Sequence, residues 1–297
     1  MKSLNGKTAF VTGAASGIGL ATSRELARHG VNIVMADIDT ERLNDEAAAI
    51  ANIGVRTLPI TLDVTSETAW QDAREKCDAF GQVDILFSNA GVGGGAGSFE
   101  TYDSDTWRWT YAVNAHAHLY ACKAFLGDMK ASDEPTHLVI TSSMVGLVPP
   151  PISTAYISSK FATLGIAMSL RNELADTNVG ISVLCPGMTA TRVVENTHLL
   201  RPGSDQDGTA QKQAEAMRGV LSGGMPPDRI AERVVQAIQN QDFYIFTHPE
   251  WKQLLEPQIA EMLAAFGESA DPSYAGDDMD GLVKANGAKR LNVTSGR

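Results

Sequence analysis

Short apolar segments rich in β-branched residues alternate along the chain with longer amphipathic segments of helical length. This alternation is typical of a parallel sheet whose strands are joined by helices packed on both faces. We therefore predict a single-domain α/β fold with a Rossmann-like, doubly wound parallel sheet of seven strands. The predicted strands are 8–12, 32–36, 57–62, 85–88, 137–142, 180–184 and 243–246. The predicted helices are 18–29, 41–53, 67–80, 104–131, 155–176, 228–240 and 249–266, with Ser66 and Asp228 as candidate N-caps.

Two segments interrupt this alternation. Residues 190–226 form a connection too long for a routine loop, and long loops in compact domains are often mobile lids, so we expect a lid over the substrate site. Residues 267–297 begin with a stretch rich in Asp and Glu, which predicts a solvated, flexible acidic tail. We therefore assign 1–250 to the main domain and 251–297 to a C-terminal helix and tail.

The charge balance and the cysteine content limit the partners, metal sites and cellular compartment that we expect for this chain. The chain carries 24 Lys and Arg against 35 Asp and Glu, a formal net charge of -11, so its average field repels nucleic acid and anionic membranes. The cysteines, Cys77, Cys122 and Cys185, lack metal-ligand spacing, and His116 and His118 have no matching ligands nearby in sequence. We expect reduced thiols, no metal site, no membrane span and a cytoplasmic protein.

A glycine-rich turn joins the first predicted strand to the first predicted helix. Its sequence is Thr-Gly-Ala-Ala-Ser-Gly-Ile-Gly at 12–19, and in this position glycines let the backbone approach a pyrophosphate at the helix N-terminus. Asp37, at the end of the second strand, can accept hydrogen bonds from a ribose diol and repels a 2′-phosphate. Ala15, Ser16 and Ile38 supply no basic side chain, so NAD is preferred over NADP.

The candidate catalytic pair is Tyr156 and Lys160, which share one face of a predicted helix at i and i+4. A phenol titrates near ~10, and a neighbouring cation favours its phenolate, which can then exchange a proton with an alcohol. Ser143 and its neighbour Ser142 lie at the end of the fifth predicted strand. Either hydroxyl could position a reacting oxygen.

These motifs, in this order, resemble the classical short-chain dehydrogenase/reductase family over roughly residues 4 to 250. The glycine turn is similar to its TGxxxGIG motif, Ser-Asn-Ala-Gly at 88–91 to its NNAG motif, and Pro186-Gly187 to its PG motif. The resemblance implies the catalytic tetrad Asn114, Ser143, Tyr156 and Lys160, with Ser143 favoured over Ser142 by spacing. In the family, Tyr exchanges the substrate proton, Ser positions the oxygen, Lys binds ribose and lowers the Tyr pKa, and Asn contributes to a water-linked proton path.

The same resemblance implies the cofactor site. Asp63-Val64 resembles the pair that borders the adenine, Asn89 has a structural as well as a binding role, and Thr191 matches the hydroxyl that contacts the carboxamide. The implied cofactor-binding residues are Gly13, Ser16, Gly17, Ile18, Gly19, Asp37, Asp63, Val64, Asn89, Ala90, Gly91, Tyr156, Lys160, Pro186, Gly187, Thr189 and Thr191.

The residues that flank the tetrad are mainly apolar, and the substrate-site candidates are Met144, Val148, Met188 and Val193. We expect hydride transfer between nicotinamide C4 and a secondary alcohol or ketone with a bulky apolar or aryl body. The carboxyl end resembles the branch that includes Cα-dehydrogenases of lignin-derived aryl ethers. A hydroxysteroid or terpenoid-alcohol dehydrogenase is the alternative, and a non-catalytic NAD sensor a more distant one. The resemblance also implies a homodimer or homotetramer formed through helices 104–131 and 155–176.

Overall fold

The computed structural model describes residues 1–95, 98–151, 153–203, 219, 221–268, 273–274 and 276–285. Seven strands of this part of the chain form one parallel sheet in the order β3-β2-β1-β4-β5-β6-β7, which confirms the predicted fold class. The strands are β1 (Thr8–Thr12), β2 (Asn32–Asp37), β3 (Thr57–Thr61), β4 (Ile85–Ser88), β5 (Thr136–Thr141), β6 (Val179–Cys185) and β7 (Tyr244–Phe246). Because β1 pairs with β2 on one side and β4 on the other, the connections diverge there. A crevice opens at the carboxyl ends of these strands, where ligands bind in such sheets.

Helices cover both faces of the sheet. They are α1 (Gly17–Arg28), α2 (Thr40–Ala51), α3 (Glu67–Asp78), α4 (Ser104–Tyr111), α5 (Ala117–Ala131), α6 (Thr154–Glu173), α7 (Val193–Leu200), α8 (Pro227–Asn240), α9 (Lys252–Glu268) and α10 (Met279–Ala285). Apolar residues of α1, α2 and α8 pack on one face, and those of α3, α5 and α6 pack on the other. Short 3₁₀ turns occur at Phe99–Thr101, Met144–Gly146 and Pro249–Trp251.

The core follows from the alternation of side chains along buried strands. Phe10 of β1 packs into the layer of α3 and α5, whereas Ala9 and Val11 face the opposite layer. The Phe10 ring lies 5.7 Å from that of Trp70 and 4.7 Å from that of Phe125, centroid to centroid. These rings fix α3 and α5 against the middle of the sheet.

The structure corrects several element boundaries. The predicted helix 104–131 is divided into α4 and α5 by a π-helical turn, Ala112–His116. Ser66 caps α3 as expected, accepting the N–H of Ala69, but Asp228 is not an N-cap because it lies inside the first turn of α8, which begins after Pro226.

The carboxyl-terminal part differs in detail from the prediction. The segment 249–266 is a 3₁₀ turn followed by α9, and the short helix α10 lies in the region expected to be a tail. Residues 204–218 and 220 of the predicted lid, and the tail residues 269–272, 275 and 286–297, fall outside the described residues. No helix of the described chain is both long enough and apolar enough to cross a membrane.

Candidate active site

The four tetrad candidates come together at the carboxyl edge of the sheet. Tyr156 and Lys160 lie near the start of α6, Ser143 follows β5, and Asn114 lies in the π-helical turn. Gly91, in the loop after β4, lies against two of these elements, because a Cβ on it would stand 3.4 Å from both Asn114 Oδ1 and Lys160 Nζ. Side chains separated by up to 46 positions in the sequence thus converge around one short loop.

Lys160 is buried beside the phenol of Tyr156. Its Nζ donates to the carbonyl of Thr141 at 3.0 Å and lies 5.8 Å from the centroid of the Tyr156 ring. Burial lowers the pKa of Lys160 to about 8, and the Cys185 thiol opposes this shift. Because an ammonium has three N–H donors, two remain beyond the bond to Thr141 for ligand hydroxyls.

The pKa of Tyr156 differs from the sequence expectation. Burial raises it, and the hydrogen bond with the Ser143 side chain opposes the increase. Desolvation of the phenolate is therefore the larger of the two effects on this pKa.

The structure distinguishes the two neighbouring serines. Ser142 Oγ donates to the carbonyl of Lys160 at 2.7 Å and so fastens α6 to the end of β5. Ser143 Oγ faces Tyr156 as its hydrogen-bond partner and also donates weakly to the carbonyl of Pro186 at 3.3 Å. Only the Ser143 hydroxyl is directed toward the candidate proton donor.

Asn114 is held rigidly by both ends of its amide. Its Oδ1 accepts the N–H of Val92 at 2.8 Å, and its Nδ2 donates to the carbonyl of Val92 at 2.9 Å and to Ser159 Oγ at 3.0 Å. The carbonyl of Asn114 accepts Thr163 Oγ1 from α6 at 2.8 Å. The π-helical turn therefore serves to lock the loop after β4 against α6.

The glycine turn fits a dinucleotide pyrophosphate. Gly13 and Gly17 have positive φ, 66° and 56°, which only glycine adopts without strain. A Cβ on Gly19 would overlap the carbonyl oxygen of Gly13. Ser16 is the N-cap of α1 but makes no side-chain cap, and the first turn has no acidic residue. The N–H groups of that turn, including those of Ile18 and Gly19, are left for an anion.

Asp37 and Arg42 flank this turn at the predicted ribose position. Asp37 Oδ2 accepts the N–H of Ala15 at 2.9 Å, so the carboxylate is fixed against the glycine turn. Arg42 Nε donates to the carbonyl of Ala15 at 2.7 Å, and its side chain lines a cavity of about 370 Å³ beside Ser16 and Gly17. The sequence reasoning missed this arginine because it considered only basic side chains adjacent to the motif.

The remaining cofactor candidates have different roles in the structure. Asn89 Nδ2 donates to the carbonyl of Thr12 at 3.0 Å, and its Oδ1 accepts Thr141 Oγ1 at 3.1 Å, so Asn89 ties β1, β4 and β5 together. The N–H of Ala90 donates to Thr12 Oγ1 at 3.0 Å. Asp63 is exposed and accepts from Thr65, whereas Val64 is buried below it.

The PG segment is positioned by a histidine that the sequence did not single out. His248, at the end of β7, accepts the N–H of Gly187 through Nδ1 at 3.0 Å. Thr189 is buried and donates to the carbonyl of Gly187 at 3.2 Å. The methyl group of Thr191 lies 3.1 Å from the place of a Cβ on Gly17, so Thr191 stands beside the pyrophosphate turn.

The substrate candidates differ in exposure. Met144 is buried in the hydrophobic core, Val148 and Val193 are half-buried, and Met188 is exposed. Helix α7, which belongs to the predicted lid, is tied to the loop after β4 because Thr197 Oγ1 accepts the N–H of Gly93 at 2.7 Å. Among the described residues, no cluster of three or more His, Cys, Asp or Glu side chains could hold a metal ion.

Comparisons with known proteins place this geometry in a family. The family model for short chain dehydrogenases matches residues 7–199. The 1-deoxy-11-beta-hydroxypentalenate dehydrogenase of Streptomyces exfoliatus is 34% identical over 261 residues, covering 87% of this chain and 89% of that protein. The C alpha-dehydrogenase of Sphingobium sp. SYK-6 is 26% identical over 297 residues, covering 99% and 97%, which confirms the resemblance to that branch.

Solved structures agree with the sequence comparison. A short chain dehydrogenase/reductase from Burkholderia phymatum in complex with NAD superposes with a TM-score of 0.83 at 28% identity, covering 93% of this chain and 100% of that one. An alcohol dehydrogenase from Thermococcus sibiricus complexed with 5-hydroxy-NADP has a TM-score of 0.66 at 25% identity, covering 81% and 95%. The chain therefore belongs to the short-chain dehydrogenases, a family of oxidoreductases that use NAD(P).

Proposed function

We propose that the protein is an NAD-dependent oxidoreductase that interconverts a secondary alcohol and a ketone. The observation that carries this proposal is the convergence of Tyr156, Ser143 and Lys160 beside a glycine turn suited to a dinucleotide. All four tetrad positions are filled, which favours catalysis over the non-catalytic NAD sensor.

Each tetrad side chain has a role that its contacts support. NAD, when bound, supplies the hydride acceptor or donor. Tyr156 takes the carbinol proton during oxidation and returns it to the carbonyl oxygen during reduction. The Ser143 hydroxyl binds the same substrate oxygen and orients it toward the phenol. Lys160, fixed by Thr141, offers its remaining N–H groups to a ribose, and Asn114 holds the loop that faces it.

Asp37 supports NAD as the preferred cofactor. Its carboxylate is fixed beside the glycine turn by Ala15, where it can accept from a ribose diol and repel a 2′-phosphate. Arg42 is the opposing feature, since a guanidinium favours a phosphate. We give the Asp37 carboxylate more weight than Arg42 in the choice of cofactor, because Arg42 Nε already donates a hydrogen bond to the carbonyl of Ala15. The remaining cofactor contacts are assigned to the residues implied by the family resemblance.

The proposed substrate has a bulky apolar or aryl body. Val148, Val193 and Met188 are apolar side chains of the candidate substrate region that are at least partly exposed. The similarity to the C alpha-dehydrogenase of Sphingobium supports the aryl-alcohol branch that the family resemblance implies. A terpenoid alcohol is the second candidate, favoured by the 34% identity to the pentalenate-pathway dehydrogenase.

We further propose that the protein is a cytoplasmic homo-oligomer with one main domain, 1–250, followed by the C-terminal segment. The free thiols of Cys77, Cys122 and Cys185 are in accord with a reducing compartment. Leu119 of α5, and Phe161 and Met168 of α6, are exposed apolar side chains. They lie on the helices that the resemblance implies as the subunit contact.

The test is the initial rate of NADH formation from NAD, with NADP in parallel, over aryl, terpenoid, steroid and small aliphatic secondary alcohols. We expect turnover of one bulky class and loss of that turnover in Tyr156→Phe, while this variant still binds NADH. Equal turnover by Tyr156→Phe would refute the assigned chemistry. Tight NADH binding without turnover of any class would favour the sensor.

A further inference from the structure

The loop that follows β4 is contacted by an arginine, Arg201, that no tetrad or cofactor role uses. Arg201 follows α7, and its Nη1 lies 2.9 Å from the position that a Cβ on Gly95 would take. We propose that Arg201 forms an anion-binding subsite, and that the preferred substrate is a secondary alcohol carrying a carboxylate remote from its carbinol. This inference deepens the proposed function and rests on it.

The absence of a side chain at Gly95 makes room for the guanidinium. Besides Arg201, the place of a Gly95 Cβ has the methyl group of Thr106 at 3.3 Å and the hydroxyl of Tyr102 at 3.6 Å. Tyr102 fixes this loop, because its hydroxyl accepts the N–H of Gly95 at 2.7 Å and donates to the carbonyl of the same residue at 2.9 Å. The guanidinium therefore rests on a rigid backbone surface.

The same loop connects Arg201 to the catalytic helix. Gly91, at its start, adjoins Lys160 and Asn114, whereas Gly95 adjoins Arg201. Four residues of extended chain span at most about 14 Å, so the guanidinium lies within the reach of one elongated substrate. The Tyr102 hydroxyl also contacts Ser153 Oγ at 3.1 Å, and Ser153 caps α6 at the N–H of Tyr156.

The charges around Arg201 leave it able to bind an external anion. No ion pair joins Arg201 to another residue within the described parts of the chain. Asp103, the N-cap of α4, accepts the N–H of Thr106 at 2.7 Å, and the bonds to Thr106 lower its pKa with a smaller contribution from the charge of Arg201. The chain has a net charge of -11, but the half-buried guanidinium of Arg201 attracts anions locally. It can bind a carboxylate with two parallel hydrogen bonds.

The subsite is compatible with the apolar surface near the tetrad. Val148, which follows the turn after Ser143, and Val193, the first residue of α7, are both half-buried apolar side chains, which suits the body of an amphipathic molecule. The carboxylate at one end then fixes the register of the carbinol at the other. In this arrangement Arg201, next to α7, determines which substrate is preferred, and the tetrad carries out the reaction.

The experiment compares acids with their methyl esters as substrates of the NAD-loaded protein. The probes are 4-(1-hydroxyethyl)benzoate and 10-hydroxystearate, which differ in the spacing between carbinol and carboxylate, and the readout is the acid-to-ester ratio of kcat/KM. Wild type is expected to prefer the acid at one spacing or both by about ten- to hundredfold, the range for hydrogen bonds to a charged group. Arg201→Met is expected to reduce this ratio to near one, and Arg201→Lys to an intermediate value.

Two further variants separate the guanidinium from general effects of charge. Gly95→Ala has no positive φ to strain and displaces the guanidinium while keeping its charge, so it is expected to lower the ratio as well. Arg229 is an exposed arginine of α8 that pairs with Glu232. Arg229→Met is therefore the matched control and is expected to keep the wild-type ratio. Wild-type ratios near one at both spacings, or equal ratios in wild type and Arg201→Met, would overturn the subsite.

A binding measurement separates this inference from the proposed function. Calorimetric titration of 4-acetylbenzoate and of 10-oxostearate into the NADH-loaded protein, each against its methyl ester, reports the subsite without requiring turnover. Weaker binding of the acids by Arg201→Met in a protein that oxidises no alcohol would retain the subsite and refute the oxidoreductase assignment. Turnover of neutral alcohols, with no difference between acid and ester, would retain the oxidoreductase assignment and refute the subsite.

Discussion

The ring of His248, just after β7, holds Gly187, just after the neighbouring parallel strand β6. Nδ1 accepts the N–H of Gly187 at 3.0 Å, and Nε2 donates to the carbonyl of Met188 at 3.0 Å. These two bonds assign the neutral Nε2–H tautomer. Contact is close enough that a Cβ on Gly187 would stand 2.7 Å from His248 Cγ. A residue 61 positions away thus fixes the segment expected to face the nicotinamide ring.

Replacing His248 should therefore impair turnover more than folding. In His248→Ala both bonds to the PG segment are lost, and we expect kcat to fall about ten- to hundredfold, because a small misplacement of reacting groups has that effect. His248→Asn keeps one amide acceptor and should lose less. Steady-state rates, with thermal unfolding as the control for folding, check this order. A folded His248→Ala that turns over like wild type would contradict the positioning role.

Ser142 and Ser143 allow a test with neighbouring residues. Ser143→Ala removes the hydroxyl that faces Tyr156, and we expect kcat/KM to fall by roughly 10²- to 10³-fold, as for the loss of one oxyanion donor. Ser142→Ala removes the bond to the carbonyl of Lys160 and a hydrogen bond with the Cys185 thiol. It should retain most activity and lose about 1 kcal/mol of unfolding free energy.

Rates and urea unfolding of both variants decide between the serines. The opposite pattern, with a larger loss of activity in Ser142→Ala, would exchange their roles.

Much of the fold was predictable because buried parallel strands leave a local signal. Phe10 and its neighbours form a continuous apolar run, and the following glycines can serve few roles other than a tight turn. The π-helical turn at Asn114 was not predictable, because it arises from bonds between Asn114 and Val92, 22 positions earlier. Helical periodicity alone continues through 104–131 without a visible break.

The site shows the same division between local and distant signals. Tyr156 and Lys160 are four positions apart, so their proximity follows from helical geometry. Arg42, His248 and Arg201 reach the site through tertiary contacts with Ala15, Gly187 and Gly95. Their sequence neighbourhoods contain no motif that indicates these contacts.

The cofactor preference can be tested by changing charge alone. Asp37→Asn keeps an acceptor for the N–H of Ala15 but removes the charge that repels a 2′-phosphate. We expect weaker NADH binding, by about tenfold, and stronger NADPH binding supported by Arg42, since one charge-assisted bond contributes on this scale. Adding Arg42→Ala should abolish the gain for NADPH. Fluorescence titration of both cofactors measures this, and an unchanged NADPH affinity in Asp37→Asn would count against the assignment.

Two buried histidines should make the protein sensitive to acid. Burial lowers the pKa of His118, with Lys160 adding to the shift, and the pKa of His137, each from 6.5 to about 3. Their Nδ1 and Nε2 atoms contact Ser88 and Ser182 at 2.7 and 2.8 Å. Between pH 6.5 and 3 the unfolded chain binds protons that the folded chain does not, so stability falls as the pH falls through this range.

Each imidazole is expected to lower the free energy of unfolding by up to about 1.4 kcal/mol for each pH unit below 6.5. His118→Gln should therefore be less stable than wild type at pH 7 but lose stability less steeply on acidification. Val113→Ala, a buried apolar truncation without a titratable group, should run parallel to wild type. Urea unfolding at several values between pH 7 and 4.5 measures both curves, and parallel curves for His118→Gln and wild type would show that His118 is protonated in the folded protein as readily as in the unfolded chain.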